Sequence, residues 1–377
     1  MFLRTWMVMW KEFIQIRRDP RMLTVVALFP IILLVIYGYA INLDVKHLRL
    51  AVCDLDRTHV SRDFISIFVN NEYFDLVRII FSPREIDSLL DRGSAKAVLV
   101  IPKGFARDIA SNLDVTVQII IDGSDSTPAT TAIGYAGGMM QQFSSKVLVD
   151  AIQKKGIRTS ESMIPLENRT RYWYNTELKS TNFIIPGLIA VILMMLSTLL
   201  TSMTVVRERE RGTIESLIVS PIRPVELMMG KLIPYVIIAF LDVIMVLAAA
   251  LFIFEVPLKG DLTLVLALSG IFLTAALGIG LLVSTLASTQ QMAMTVALIG
   301  SQLPTVLLSG FIFPIASMPV FIQWVTTLIP ATHFVKILRG IFLKGSGIQV
   351  LLVPSIALFS IGSIIIFLCA VSFKKKL

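Results

Sequence analysis

Arg207-Glu208-Arg209-Glu210-Arg211 sets five charges in strict alternation between two long apolar runs. Carboxylates beside guanidiniums can carry proton transfer or metal chemistry, but no nucleophile or ligand set adjoins them. The segment continues Gly212-Thr213-Ile214-Glu215-Ser216-Leu217-Ile218-Val219-Ser220-Pro221. Gly212 bends or breaks a helix carried in from residue 206, and Glu208 and Arg211 are close enough along such a helix to pair. Thr213 is placed to cap a second short helix on which Ile214, Leu217 and Ile218 share one face, with Pro221 near its end. A capped helix with an apolar face outside the bilayer is a docking element for another protein. The plainer alternative is a solvated loop whose arginines only enforce topology.

No other stretch offers catalytic chemistry. Gly340 to Gly345-Ser346 has the glycine spacing of a phosphate-binding loop but lacks the lysine that must follow the second glycine. His47 and His59 have no partner at metal-ligand spacing, and Cys53 and Cys369 make no disulfide framework. The expectation is a chain with no catalytic residue, no metal site and no cofactor of its own. Asp242 stands apart as a carboxylate within an apolar run. Placed in hydrocarbon it costs several kcal/mol unless paired or hydrated. The expectation favours a hydrogen bond to Ser, Thr or Tyr on a neighbouring helix over a place in a transport path.

Composition says what must position these residues. Of 377 residues 55% are hydrophobic and 16% charged, against about a quarter charged in soluble domains. The net charge of +8 would suggest nucleic acid in a soluble protein, but its placement points to membrane topology instead. Six runs reach the ~20 apolar residues that a span needs: 22–41, 183–206, 232–254, 262–286, 292–313 and 348–373. The first is longer than the ~7–15-residue apolar core of a signal peptide and reads as a retained anchor. Arg4, Lys11, Arg17, Arg18 and Arg21, then Arg207 to Lys231, then Lys374 to Lys376 fall on one side, which the positive-inside rule makes the cytoplasm. Residues 314–346, divided by Pro314, Pro319 and Pro330, read as a re-entrant or interfacial hairpin, since a seventh span would put the lysine tail outside.

The fold class expected is therefore an α-helical polytopic membrane protein with six spans and an α/β external domain between the first two. Residues 1–21 form an amphipathic interfacial helix in which Trp6, Trp10 and Phe13 oppose a basic face containing Lys11. Residues 22–43 are the first span and 44–181 the external domain. Residues 182–377 hold five further spans, a cytoplasmic loop at 207–231 and the hairpin at 314–346. Within 44–181 acidic and basic side chains balance. Strands are expected at 48–53, 97–101 and 115–121, helices at 59–70, 83–92 and about 126–155, with Ser82 capping and Pro83 opening the second helix. Arg171-Tyr172-Trp173-Tyr174-Asn175 reads as an interfacial aromatic belt, and Asn168-Arg169-Thr170 as a chance sequon. Small residues at Ala275-Ala276-Leu277-Gly278-Ile279-Gly280 predict close helix packing. In the fifth span Ser301-Gln302 and Pro304 interrupt the apolar run, and their polar atoms suggest a helix that lines a cavity.

The interfacial helix, the domain after the first span, the Glu208-to-Pro221 pattern and the broken hairpin FIFPIASMPVFIQWVTTLIPATHFVKILRGIFLKG (311–345) together resemble the permease subunits of type-2 ABC exporters. The resemblance covers essentially the whole chain. It implies a dimer of permeases, two copies or two paralogues, in the bacterial inner membrane, with both termini cytoplasmic. It also implies cytosolic ABC ATPase subunits, which bind ATP and Mg, and for some members a periplasmic adaptor. Glu208, Arg209, Glu210, Gly212, Thr213, Glu215, Leu217 and Pro221 would couple to the ATPase. Met194, Met195 and Ser197 of the second span, Ser301 and Gln302 of the fifth, and Asp242 become candidates for the path. Members are commonly multidrug exporters, so an amphiphilic or drug-like cargo is the expectation. A membrane protein that transports nothing, with an external domain that binds a ligand or envelope partner, is the alternative from another class. A proton-coupled carrier is disfavoured because Asp242 is nearly alone.

Overall fold

A computed structural model of the chain describes residues 2–41, 47–111, 113–154, 173–175, 179–210, 212 and 224–374. The chain divides into two compact units, Met1–Asn42 with Tyr172–Leu377, and Leu43–Arg171.

The first unit is helical. Its elements begin with α1 (Phe2–Arg17) and α2 (Pro20–Ala40). The second unit interposes β1 (Leu48–Asp54), α3 (His59–Val69), β2 (Phe74–Ile80), α4 (Ile86–Asp91), β3 (Ala97–Ile101), α5 (Phe105–Ala110), β4 (Gln118–Ile121) and α6 (Ser126–Lys154). The helical unit resumes with α7 (Ser180–Ser202), α8 (Thr204–Glu210), α9 (Pro224–Phe252), α10 (Leu262–Leu286), α11 (Gln290–Leu308), α12 (Val320–Thr326), α13 (Pro330–Lys344) and α14 (Ile348–Lys374).

Among the described residues, five helical stretches are long and apolar enough to cross a bilayer: Ser180–Glu210, Met229–Phe252, Leu262–Leu286, Gln290–Leu308 and Ile348–Ser372. The apolar stretch Val26–Ala40 within α2 is shorter. Helices α12 and α13 meet at 82°. Pro330 at the start of α13 has no N–H to give and suits a first helical position, so the chain restarts there in a new direction.

The core of this unit is α7. Almost every residue of it is buried, because α2, α9, α10, α11 and α13 all pack against it. Small residues permit this. A Cβ on Gly280 of α10 would stand 2.1 Å from Thr201 Oγ1 and 2.3 Å from the Thr198 carbonyl oxygen of α7. Thr198 and Thr201 donate across that contact to the Ala276 and Leu277 carbonyls at 3.3 and 3.0 Å. Gly278 faces α14 instead, where its Cβ would meet Ile365 and where Cys369 donates to its carbonyl at 3.2 Å. The close packing expected of the Gly278–Gly280 segment is thus found within the chain. Both cysteines are free and buried.

The second unit holds a four-stranded sheet in the order β2-β1-β3-β4. β1 runs parallel to β2 and β3, and β4 closes antiparallel on β3. Phe64, Phe68, Phe74, Phe105 and Phe143 fill one core, with Ala51, Cys53, Ile80, Leu89 and Val98 in a smaller one. Strands β1 and β3 and helices α3 and α6 lie where the sequence indicates. Strand β2 is an addition to the expected elements. Asp75 and Arg78 break its apolar run, and the register slips between Leu50 and Ala51 opposite it, so no clean alternation marks this edge strand. β4 begins at Gln118 rather than at 115. Ser82 does precede Pro83, but the turn Pro83–Glu85 is 3-10, Ser82 makes no side-chain cap, and the α-helix starts at Ile86.

Candidate functional site

Each of the four described charges of the 207–211 motif has a partner elsewhere in the helical unit, although only Glu208 is buried and Glu210 remains exposed. Glu208 is buried and accepts from Lys11 of α1 at 2.6 Å and from Lys231 of α9 at 2.8 Å. Lys231 is itself among the most enclosed side chains of the protein. Its ammonium lies 3.6 Å from buried Glu12 and donates to the Thr204 carbonyl at 3.0 Å. Lys231, Glu208 and Glu12 thus neutralise one another out of water, the condition under which charges are tolerated in an interior, and half-exposed Lys11 adds a second cation at the rim.

Arg209 donates to the carbonyls of Ala287 and Thr285 at 2.9 and 3.5 Å, where α10 ends with unsatisfied oxygens. Glu210 accepts from the Gln290 backbone N–H at 2.7 Å and from its side-chain amide, where α11 begins. A cation therefore meets a helix C-terminus and an anion meets a helix N-terminus, each the favourable sense of the helix dipole. Arg207 reaches Gln290 Oε1 at 3.4 Å and Asp19 at 3.9 Å.

Local backbone makes this arrangement possible. Between α7 and α8 the helix breaks at Met203, and Ser284 of α10 accepts from the Val205 and Val206 amides at 2.9 and 3.3 Å. Those amides would otherwise be orphaned inside a helical bundle. Gly212 follows with φ +70°, a left-handed conformation that ends α8 and suits glycine. Thr213, Glu215, Leu217 and Pro221 lie outside the described residues, as do Arg211 and the short helix expected after Gly212.

Helix α1 divides its faces sharply. Val8, Glu12 and Ile16 are buried at spacings of four, and Val8 sits where a Cβ on Gly230 would come within 2.7 Å. Trp6 and Trp10 are half exposed and stack with centroids 6.4 Å apart, beside exposed Leu3 and Met7, while Phe13 is half-buried. Lys11, placed by its spacing on a basic outer face, points its ammonium to Glu208.

The path candidates separate. Met194, Met195 and Ser197 are buried in α7. Ser301 is buried on the face of α11 that also carries Ala293, Ala297 and Thr305, and Gln302 is half-exposed beside it. Helix α11 runs continuously through Pro304. Asp242 is 1% exposed, and its Oδ1 has no hydrogen-bond partner. The bond expected there from a neighbouring hydroxyl is absent at that oxygen. Among the described residues no group of three His, Cys, Asp or Glu could hold a metal ion.

Sequence reasoning passes over Glu12, Lys231, Ser284 and Gln290. By sequence Lys231 counts only among the topology-setting cations. Glu12 offers a signal, a carboxylate on the apolar stripe of Val8 and Ile16, which requires a buried partner.

Long apolar helices bound at one end by buried charge define a multi-pass membrane protein. Residues 20–372 match the model of the ABC-2 family transporter protein family, and the chain belongs to that family. It is 37% identical over 367 residues to the "Probable multidrug ABC transporter permease YbhS" of Escherichia coli K12, covering 97% of this chain and 95% of the relative. It is 31% identical to the "Probable multidrug ABC transporter permease YbhR" of the same organism, over 93% and 92% of the two chains. A third relative, the E. coli K12 "Inner membrane transport permease YhhJ", is 28% identical over 87% and 85%.

Proposed function

We propose that this chain is the permease subunit of an ATP-driven exporter that expels amphiphilic, drug-like molecules from the cytoplasm, in concert with a separate ATPase. The observation that carries this reading is the Lys11–Glu208–Lys231–Glu12 cluster. It binds α1, α8 and α9 into one block at the points where the chain enters and leaves residues 211–223. A push on that loop is passed to three helices at once, and through Arg209 and Glu210 to the α10–α11 turn.

In this reading the charged end of the bundle faces the cytosol, and residues 213–220 seat a short helix on the ATPase. The exposed tryptophans of α1 rest in the headgroup layer. The first span and the five long helices make six crossings, α12 and α13 form a re-entrant hairpin, and residues 44–181 lie outside. The working unit is a dimer of permeases in the inner membrane with both termini cytoplasmic. ATP and Mg are bound by the ATPase alone, a periplasmic adaptor is a further partner for export across the envelope, and nucleic acid has no part. The names of the relatives YbhS and YbhR motivate the cargo class.

Co-expression of the chain with an ABC ATPase encoded beside it tests the reading. A stable complex is expected, with ATP-dependent transport of a lipophilic cationic dye by inverted vesicles reconstituted with it. Replacing 213–220 by a flexible linker is expected to abolish the complex. A complex that forms equally well with the linker rules out the docking role.

A further inference from the structure

The end of the bundle opposite the charge cluster carries a partly buried arginine with no carboxylate beside it among the described residues. Arg339 of α13 donates to the Gly310 carbonyl at 2.8 Å, the Phe311 carbonyl at 3.0 Å and the Phe183 carbonyl at 3.3 Å. Its guanidinium carbon lies 3.5 Å from the centre of the Phe183 ring. Three backbone oxygens and one aromatic face hold this charge, and among the described residues no acidic side chain pairs with it. The fork of a guanidinium suits two adjacent carbonyls as an ammonium does not.

Those carbonyls belong to the turn that ends α11. Gly310 has φ +81°, which glycine adopts without strain and which aims its carbonyl at Arg339. The Phe311 ring lies over Gly187 of α7, where a Cβ would be 2.5 Å from it. One arginine therefore ties the last turn of α11 to the first turns of α7.

Between its two ends the seam from α7 to α11 is lined on the α11 side by small and polar residues. The buried face of α11 presents Ala293, Ala297, Ser301 and Thr305, and the hydroxyls of Ser301 and Thr305 have no hydrogen-bond partner. Unsatisfied buried hydroxyls destabilise the packed state relative to one in which water or a polar ligand reaches them. At the charged end Glu210 of α8, which follows α7 directly, holds Gln290 at the start of α11, and at the other end Arg339 holds the turn after α11.

We propose that Arg339 is a latch that holds the far end of α11 against α7, and that export requires its release, which opens the seam and hydrates Ser301 and Thr305. This rests on the permease reading and adds the residue that sets the resting state. Arg339 is a positioning residue, acting through the Gly310–Phe311 turn rather than on cargo.

The test uses Ser301→Cys in the full-length chain and a membrane-impermeant, water-soluble maleimide. Buried native Cys369, on α14 against α10, serves as the internal control. With Arg339 intact, the thiol introduced at position 301 is expected to stay unreactive without ATP. Arg339→Ala should raise labelling at position 301 about tenfold or more by shifting a local opening equilibrium, with Cys369 unchanged. Arg339→Lys, which retains charge but not the fork, should fall between. Labelling at position 301 that is unchanged in Arg339→Ala, or that rises in parallel with Cys369, overturns the latch. With the ATPase present, ATP should raise the labelling at position 301 in the chain with Arg339 intact. If export proceeds while that labelling never rises, the latch is wrong and the permease reading stands. If the ATPase drives no export by the unaltered chain, the permease reading falls on its own account.

Discussion

Lys231 of α9 and Glu208 of α8 face each other at 2.8 Å with almost no exposure to solvent, and Glu12 of α1 completes the contact at 3.6 Å from the same ammonium. Removing one member of such a group leaves an uncompensated buried charge, which costs about 3–5 kcal/mol. Lys231→Met is therefore expected to lower the unfolding midpoint in detergent strongly. Combining it with Glu12→Gln should cost less than the sum of the two single changes, because the second removes the charge that the first stranded. Additive losses in thermal unfolding would show that the two residues are not energetically coupled.

Close packing of α10 on α7 depends on Gly280. A methyl group there would overlap Thr201 Oγ1 and the Thr198 backbone, so Gly280→Ala should destabilise by about 1–3 kcal/mol. Gly270, in the same helix with nothing within 4 Å of its would-be Cβ, gives the contrast. Gly270→Ala should be neutral or gain about 0.5–1 kcal/mol from helix propensity. Comparing the two midpoints separates packing from propensity.

Asp242 stabilises nothing through its Oδ1. Replacing it by leucine should raise stability by about 1–3 kcal/mol, the usual penalty of a buried unsatisfied polar group. A stabilised Asp242→Leu protein that no longer exports would assign the carboxylate to function. One that is both stabilised and active would leave it without a role in export.

In the sheet unit, the Lys96 ammonium 2.6 Å from Asp122, together with Ser124, holds the Asp122 carboxyl well below the usual carboxylate range. A depressed folded value means that the stabilisation is complete above the unfolded value of about 4 and is lost as pH falls through the folded one. Amide exchange of β3 and β4, corrected for its intrinsic pH dependence, should be flat between about pH 7 and 5 and rise below about pH 4. Asp122→Asn should weaken protection at neutral pH and remove this contribution to the acid-dependent rise.

Much of the chain is readable because local rules decide it. The long apolar runs can only be helices in hydrocarbon, where every backbone group must be satisfied internally, and α7, α9, α10, α11 and α14 follow them closely. Pro330 and Gly345 bound α13 by fixed backbone preferences. Strand β2 escapes notice because an edge strand exposes Asp75 and Arg78 and needs no alternation.

The sequence by itself determined which segments are apolar, where the charges gather and where helices must stop, since these follow from hydration and from backbone geometry. Only the tertiary structure decided what the charges do. Arg207 to Glu210 could equally have faced water, and nothing in their order names Lys11, Lys231, Ala287 or Gln290 as partners. Those partners come from helices distant in the chain, and at Glu208, Lys231 and Glu12 burial removes the solvent that would otherwise satisfy each charge separately. The same holds for Arg339, an ordinary helical arginine in sequence whose place is set by the Phe183, Gly310 and Phe311 carbonyls brought to it by the fold.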